Sequence, residues 1–159
     1  MNQSIASLVQ TLSGLLEKSS IKIALAESCT GGLLAAHLTA QAGSSLWFDR
    51  GFVTYSNVSK TESIGVSSSI IEQYGAVSEE VAKAMAQGAL NHSAAKTSIA
   101  ITGIAGPGGS TENKPVGMVC FAWAVQFPGS PALLIASTQI FDGGRQAIRE
   151  HACAYALNE

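Results

Sequence analysis

The chain has 159 residues, 47% hydrophobic and 13% charged, and nine Lys and Arg against eleven Asp and Glu give a formal net charge of −2. Its cations are scattered, which argues against a nucleic-acid face and leaves any anion to be held by local groups. Its three cysteines form no C-x-x-C pair, which argues against a disulfide framework or a structural zinc and fits a reducing cytoplasm.

Ile5, Leu8, Val9, Leu12, Leu15 and Leu16 recur at helical spacing and predict an amphipathic first helix closing near Ser19. Gln3, Gln10, Glu17 and Lys18 interrupt any signal-peptide core in this stretch, and no apolar run reaches membrane-spanning length. Residues 21–26 read as a buried first strand. Thr30 is placed to cap the next helix, which is apolar nearly all round from Leu33 to Leu38 and is therefore expected to be buried. Residues 51–55 read as a second short strand. Ser78 is a good N-cap, with Glu79 and Glu80 where the helix dipole favours acids. Val81, Ala82, Met85, Ala86 and Ala89 form the apolar stripe of that helix. Residues 97–102 read as a third strand, followed by the loop GIAGPGGSTENKP. Residues 116–125 and 132–140 read as a hairpin around QFPGSP, and a last helix runs from about Arg145 to Leu157.

This order describes one α/β domain over residues 1–159, without repeats or a long linker. Helical segments separate the first three strands, so those strands are expected to be parallel. The fourth should run antiparallel and the fifth should turn back with the first three. The carboxyl ends of strands one, two, three and five then share one edge, where open α/β sheets bind ligands. Four polar corners leave that edge: ESCTGG, YSNVSK, TGIAGPGG and DGGR. The apolar share of the chain also leaves a face for a partner subunit, and a homodimer is the expected assembly.

Each corner supports more than one reading. Amides near Gly31 and Gly32, at a helix N-terminus, suit an oxyanion or phosphate. Ser28 beside them is a candidate nucleophile, although Ser28 and Thr30 also read as helix caps. Cys29 competes with Ser28 for the nucleophile's role, but neighbouring strand residues face opposite ways, and a cysteine there fits packing. His37, His92 and His151 lie in predicted helices away from the corners. Lys60, just after strand two, is the better base if its pKa is depressed, and otherwise is a solvated lysine. Glu27 is left to pair with a cation or donor of the crevice. GIAGPGG is neither a Walker A loop nor a complete G-x-G-x-x-G, so a phosphate cradle and a plain turn both remain open. Arg145 opposes the dipole of its own helix and points to an anionic ligand or to solvent. The Asp, Glu and His pattern offers no metal set.

AESCTGG, GSSLWFDRGFVTYSN, GAVSEEVA, SIAITGIAGPGG with KPVG, and the final GGR together resemble the CinA carboxy-terminal domain family, over about residues 8–157. Stand-alone members of that family include nicotinamide-nucleotide amidohydrolases, which convert nicotinamide mononucleotide to nicotinate mononucleotide and ammonia. The resemblance implies a three-layer α/β/α fold around a mixed, mostly parallel sheet of about five strands. It also implies a Ser–Lys pair, with no metal and no other cofactor. On this chain the nucleophile would be Ser28 and the base Lys60, with Tyr55 assisting. Thr102, Gly103 and Arg145 would hold the substrate, and Thr30, Gly31 and Gly32 would supply amide donors. Gly144 stands where the family carries a polar residue, so no side-chain contact is expected there. The competing reading is a nucleotide-binding interaction module, without turnover, linked to competence or DNA damage.

Overall fold

The structure, a computed structural model, describes residues 3–159. Five strands, β1 (Ile23–Glu27), β2 (Phe48–Val53), β3 (Thr97–Gly103), β4 (Met118–Val125) and β5 (Leu133–Ile140), form one sheet in the order β2-β1-β3-β4-β5. β1 pairs in parallel with β2 and β3, whereas β3–β4 and β4–β5 are antiparallel. The expected directions therefore hold for all five strands, and four of them share one direction. The pairings themselves divide evenly, because β4 runs against both its neighbours.

Period-two alternation sends the two faces of the sheet into two different cores. Ile23, Leu25, Ile99, Ile101, Val119 and Phe121 pack on one face against α1 (Ile5–Ser19), α2 (Leu33–Thr39) and α6 (Arg145–Asn158). Ala24, Ala26, Ala100, Ala122 and Ala124 on the other face meet α3 (Asn57–Ile64), α4 (Ser68–Tyr74) and above all α5 (Glu79–Asn91). The result is the three-layer α/β/α arrangement. Alanines on this second face let α5 lie close to the sheet, and its expected stripe from Val81 to Ala89 is fully buried. Gly88 on α5 touches α3 so closely that a methyl group there would collide with the Ile64 carbonyl.

Several boundaries differ from expectation for local reasons. β1 begins at Ile23, since the Ile21 N–H bonds back to the Leu16 carbonyl to close α1, and Ser20 takes a left-handed turn, φ 53°. β2 lies earlier than expected, because its charged residues Asp49 and Arg50 hide the strand pattern and Ser56 already caps α3. α2 is not capped by Thr30. Its N-cap is Gly32, and the Glu27 carboxylate takes the helix-end amides of Gly32, Leu34 and Ala35 at 3.1, 3.1 and 2.8 Å. The donor partner left open for Glu27 is thus the backbone of its own corner. Ser78 caps α5 as expected, accepting from the Val81 N–H.

Candidate active site

The four corners meet in one cavity of 280 Å³ at the carboxyl edge of the sheet. Ser28, Cys29, Tyr55, Lys60, Thr102, Gly103 and Arg145 all line it. Asn57 and the Ala76–Val77 link between α4 and α5 complete the wall, together with the loop from Ile104 to Gly109.

Ser28 follows β1 directly, and its N–H extends the ladder to the Ile101 carbonyl at 2.9 Å. Lys60 lies in the first turn of α3 rather than at the end of β2. The reciprocal Ser56–Ser59 capping box starts that helix at the right residue, and its first turn points Lys60 inward. Lys60 is 1% exposed. Its Nζ lies 3.1 Å from Ser28 Oγ, 2.8 Å from the Thr54 carbonyl and 3.4 Å from the Tyr55 carbonyl. The salt bridges among the described residues, His37–Glu150 and Arg50–Asp49, leave this amine without a carboxylate. Burial pushes its pKa below the ordinary 10.5, opposed only by the Cys29 thiol. A neutral amine has two N–H groups for the two carbonyls and a lone pair for the serine hydroxyl. The same three oxygens suit the three N–H groups of an ammonium, and it is burial that tips the amine toward the neutral form.

Cys29 takes the opposite side of the chain, as alternation requires, and packs into the core under α2 and α6. Desolvation pushes its thiol up to about 12. Arg145 spans the mouth of the cavity, donating to the Gly106 carbonyl at 2.7 Å and to the Tyr55 hydroxyl at 3.0 Å. Thr102 is buried and donates to the Ala76 carbonyl at 2.8 Å, tying β3 to the α4–α5 link.

Thr30, Gly31 and Gly32 do not line the cavity. The Gly31 N–H bonds to the Ser28 carbonyl at 3.0 Å, Gly32 serves Glu27, and the Thr30 carbonyl receives Arg149 at 2.8 Å. The Gly31 and Gly32 amides are thus occupied within the protein. Gly144 is exposed at the start of α6 and makes no side-chain cap. The three histidines sit away from the site: His37 pairs with Glu150, His92 bonds the Gly88 carbonyl, and His151 lies against Phe141. Thr54, Asn57, Ala76 and Val77 were not singled out from sequence. The signals available were the Ser-x-x-Ser start of α3 and the stretch GAVSEEVA.

The CinA C-terminal domain profile matches residues 5–159. The chain belongs to the CinA C-terminal domain family. It is 50% identical over 135 residues to the nicotinamide-nucleotide amidohydrolase PncC of Enterobacter agglomerans, covering 85% of this chain and 80% of that protein. It is 53% identical over 137 residues to a CinA-like protein of Mycolicibacterium paratuberculosis, covering 86% of this chain but only 32% of that protein. This CinA domain therefore spans about a third of the longer CinA-like relative. Among solved structures, a CinA superfamily protein from Escherichia coli superimposes with a TM-score of 0.90 at 37% identity, over 98% of this chain and 87% of that one. A competence/damage-inducible protein from Agrobacterium tumefaciens gives 0.89 at 40% identity, over 99% and 96%.

A lysine whose folded pKa lies below its unfolded value destabilises the fold most where it is protonated in both states. That penalty fades as pH rises from the folded pKa toward 10.5. We predict that the melting temperature of Lys60→Met minus that of the wild type falls steadily with pH over this range. Thermal melts from neutral pH upward measure it; a difference independent of pH would mean that Lys60 titrates normally.

Proposed function

We propose that the chain is an amidohydrolase that converts nicotinamide mononucleotide to nicotinate mononucleotide and ammonia through Ser28 and Lys60. The observation that carries this reading is the buried Lys60 amine, without a counter-ion, 3.1 Å from Ser28 Oγ. The activity printed for the Enterobacter agglomerans relative supplies the substrate. A binding module without turnover has no use for such a pair.

In the first half-reaction the Ser28 hydroxyl gives its proton to neutral Lys60 as Oγ bonds to the carboxamide carbon. The carbonyl π electrons move onto oxygen. When they return, the C–N bond breaks and ammonia leaves with the proton held by Lys60. In the second half-reaction water gives a proton to Lys60 and attacks the ester. The Oγ–C bond then breaks, and Lys60 returns a proton to Ser28. The site's own residues carry every proton, and the reading requires no metal.

The other side chains divide into orienting and binding roles. Tyr55 presents its carbonyl to Lys60 and its hydroxyl to Arg145, linking base to mouth. Thr102 and Gly103 hold the wall beside Ser28, on the neighbouring strand. Thr30, Gly31 and Gly32 act behind the site, fixing the corner. Arg145 uses two of its N–H groups on Gly106 and Tyr55, and the rest of its fork is available for a phosphate. We also propose a cytoplasmic homodimer that engages neither nucleic acid nor membrane. No helix among the described residues is long and apolar enough to cross a membrane. The edge strand β5 carries no charged residue and exposes Leu133, Ile135 and Ile140, the unguarded edge that a second copy would cover.

Ser28→Ala and Lys60→Ala are each expected to abolish ammonia release while the fold is retained, and the double variant to lose no more than either alone. In the wild type, kcat/KM should rise with pH through an apparent pKa below 10.5, because the base acts deprotonated and burial lowers its pKa. A chelator should leave the rate unchanged. Full turnover in either single variant removes that residue from the mechanism. Arg145→Ala should lower kcat/KM on nicotinamide mononucleotide by about 30- to 1,000-fold, yet barely change the low rate on nicotinamide riboside. Equal fractional losses on both substrates would show that Arg145 does not read the phosphate. Sedimentation of the wild type and Ile135→Lys tests the assembly: a dimer for the first and a monomer for the second are expected, and a wild-type monomer would refute the homodimer.

A further inference from the structure

The parallel ladder between β1 and β3 has one open rung, and it lies beside Ser28. Hydrogen bonds fix the direction of each β3 residue. The Ile104 N–H bonds across to the Met118 carbonyl at 2.9 Å, and the Gln126 N–H to the Lys96 carbonyl at 2.8 Å. The even-numbered residues of β3 therefore turn their backbone groups toward β4. The odd-numbered ones turn toward β1, and the Ser28 N–H meets the Ile101 carbonyl in that register. The next rung of a parallel ladder would run from the Gly103 N–H to the Ser28 carbonyl. It is not made, because the Ser28 carbonyl has turned to accept the Gly31 N–H. The Gly103 N–H is left on the β1 side of its strand, next to the nucleophile, in a residue that lines the cavity. Two residues on, Ala105 is buried in the same wall, and its N–H also meets no acceptor among the described residues. Unpaired N–H groups at the inner end of a strand are rare, and the half-buried Gly103 and buried Ala105 amides leave two donors beside the serine for an acceptor entering the cavity.

We propose that the backbone N–H groups of Gly103 and Ala105 form the oxyanion hole of the amidohydrolase. This assignment rests on the Ser28–Lys60 reading above. It replaces the amides of Gly31 and Gly32, which the Ser28 carbonyl and Glu27 already occupy. When Oγ of Ser28 bonds to the carboxamide carbon, the displaced π electrons collect on oxygen, and the two N–H groups bond to that oxygen. They release it when the carbonyl re-forms and ammonia departs with the proton from Lys60. Gly103 also has to be glycine: a Cβ there would sit 2.8 Å from the Met118 carbonyl and 2.9 Å from Val119 Cα, driving the strand end off its register.

Replacing Gly103 by its α-hydroxy analogue, glycolate, turns the amide into an ester and removes one N–H without adding an atom. We expect kcat on nicotinamide mononucleotide to fall by about 100- to 1,000-fold with KM changed by less than about 3-fold. Affinity for the pyridine-3-carboxaldehyde mononucleotide, which forms an oxyanion-bearing adduct with the serine, should fall in parallel, while affinity for nicotinate mononucleotide stays. The same ester at Gly129, in the β4–β5 turn, should leave all three values at wild-type level. A folded Gly103 ester with kcat within about 3-fold of wild type, or with unchanged aldehyde affinity, overturns the assignment. Should the ester chain not fold, the unmodified enzyme with thionicotinamide mononucleotide decides. Sulfur is a poor N–H acceptor, so a lowered kcat at similar KM supports the hole, and an undiminished kcat refutes it. If the unmodified enzyme releases no ammonia from nicotinamide mononucleotide, the amidohydrolase reading itself fails, a result visible before any variant is made.

Discussion

The Lys60 amine lies against Ser28 with no acid nearby, and much of the surrounding architecture follows from keeping it there. Taking a lysine out of water without a counter-ion favours its neutral form, and only that form can accept a proton. A carboxylate beside it would stabilise the ammonium and remove the base. The cavity accordingly has none: no Asp or Glu lines it, and Lys60 is met by two backbone carbonyls instead. Those carbonyls belong to Thr54 and Tyr55, so α3 must begin immediately after them for its first turn to deliver the amine. The Ser56–Ser59 cap sets that start, and the close contact of Ile64 with Gly88 holds the far end of α3 on α5. A loop-borne lysine would find water. A helix-borne one is held dry.

Glu27 is the complementary device on the other side of β1. Its carboxylate is buried and takes three amides at the start of α2, so the end of that helix is neutralised from inside. A helix N-terminus beside a serine would ordinarily attract the anionic part of a substrate. Here that attraction is spent on the protein, and the proposed anion recognition falls instead to Arg145 and to the end of β3. The same carboxylate fixes the turn after Ser28. The Ser28 carbonyl can then swing to Gly31 and leave the Gly103 amide without a partner. The cap, the placing of Ser28 and the open rung are consequences of one corner.

Much of this organisation was legible in the sequence because it depends on period and punctuation. The apolar runs of β1 and β3, the helical segments between the first three strands, with the Ser78 cap and the α5 stripe among them, and the loop without helical pattern before β4 were enough to fix the strand directions. They also placed four corners on one edge. What stayed hidden was the backbone's share. α3 is short and polar, so its hydrophobic period is weak, and Lys60 read as a residue after a strand rather than on a helix. Thr30 has the side chain of a cap, but Glu27, five residues before Gly32, reaches the amides first. The walls from Asn57 and Ala76–Val77 arise from crossovers that no local pattern announces. A carbonyl or an unmade ladder bond has no residue type, so residue chemistry alone pointed to Ser28 and Lys60 but could not show that the Gly31 and Gly32 amides are taken up by the Ser28 carbonyl and Glu27.

The choice between the neighbouring nucleophiles follows from the same geometry. Ser28 and Cys29 occupy adjacent positions at a strand end, and a thiol is intrinsically the better nucleophile at neutral pH. A thiol acts as its thiolate, however, and Cys29 points into the core between the sheet and α2, where desolvation raises its pKa to about 12. The serine needs no anion of its own, provided a base takes its proton as the bond forms. Lys60 stands at 3.1 Å on the face that Ser28 presents and that Cys29 turns away from. Strand alternation thus assigns the chemistry: one side chain goes to packing and the next to the amine, and exchanging the two residue types would leave a buried hydroxyl and a thiol facing a depressed lysine. In the proposed reaction, proton transfer and attack would occur on one side of β1 while the open amide of Gly103 lies across the ladder on β3, so the substrate carbonyl would be gripped from two strands whose separation the sheet itself holds constant.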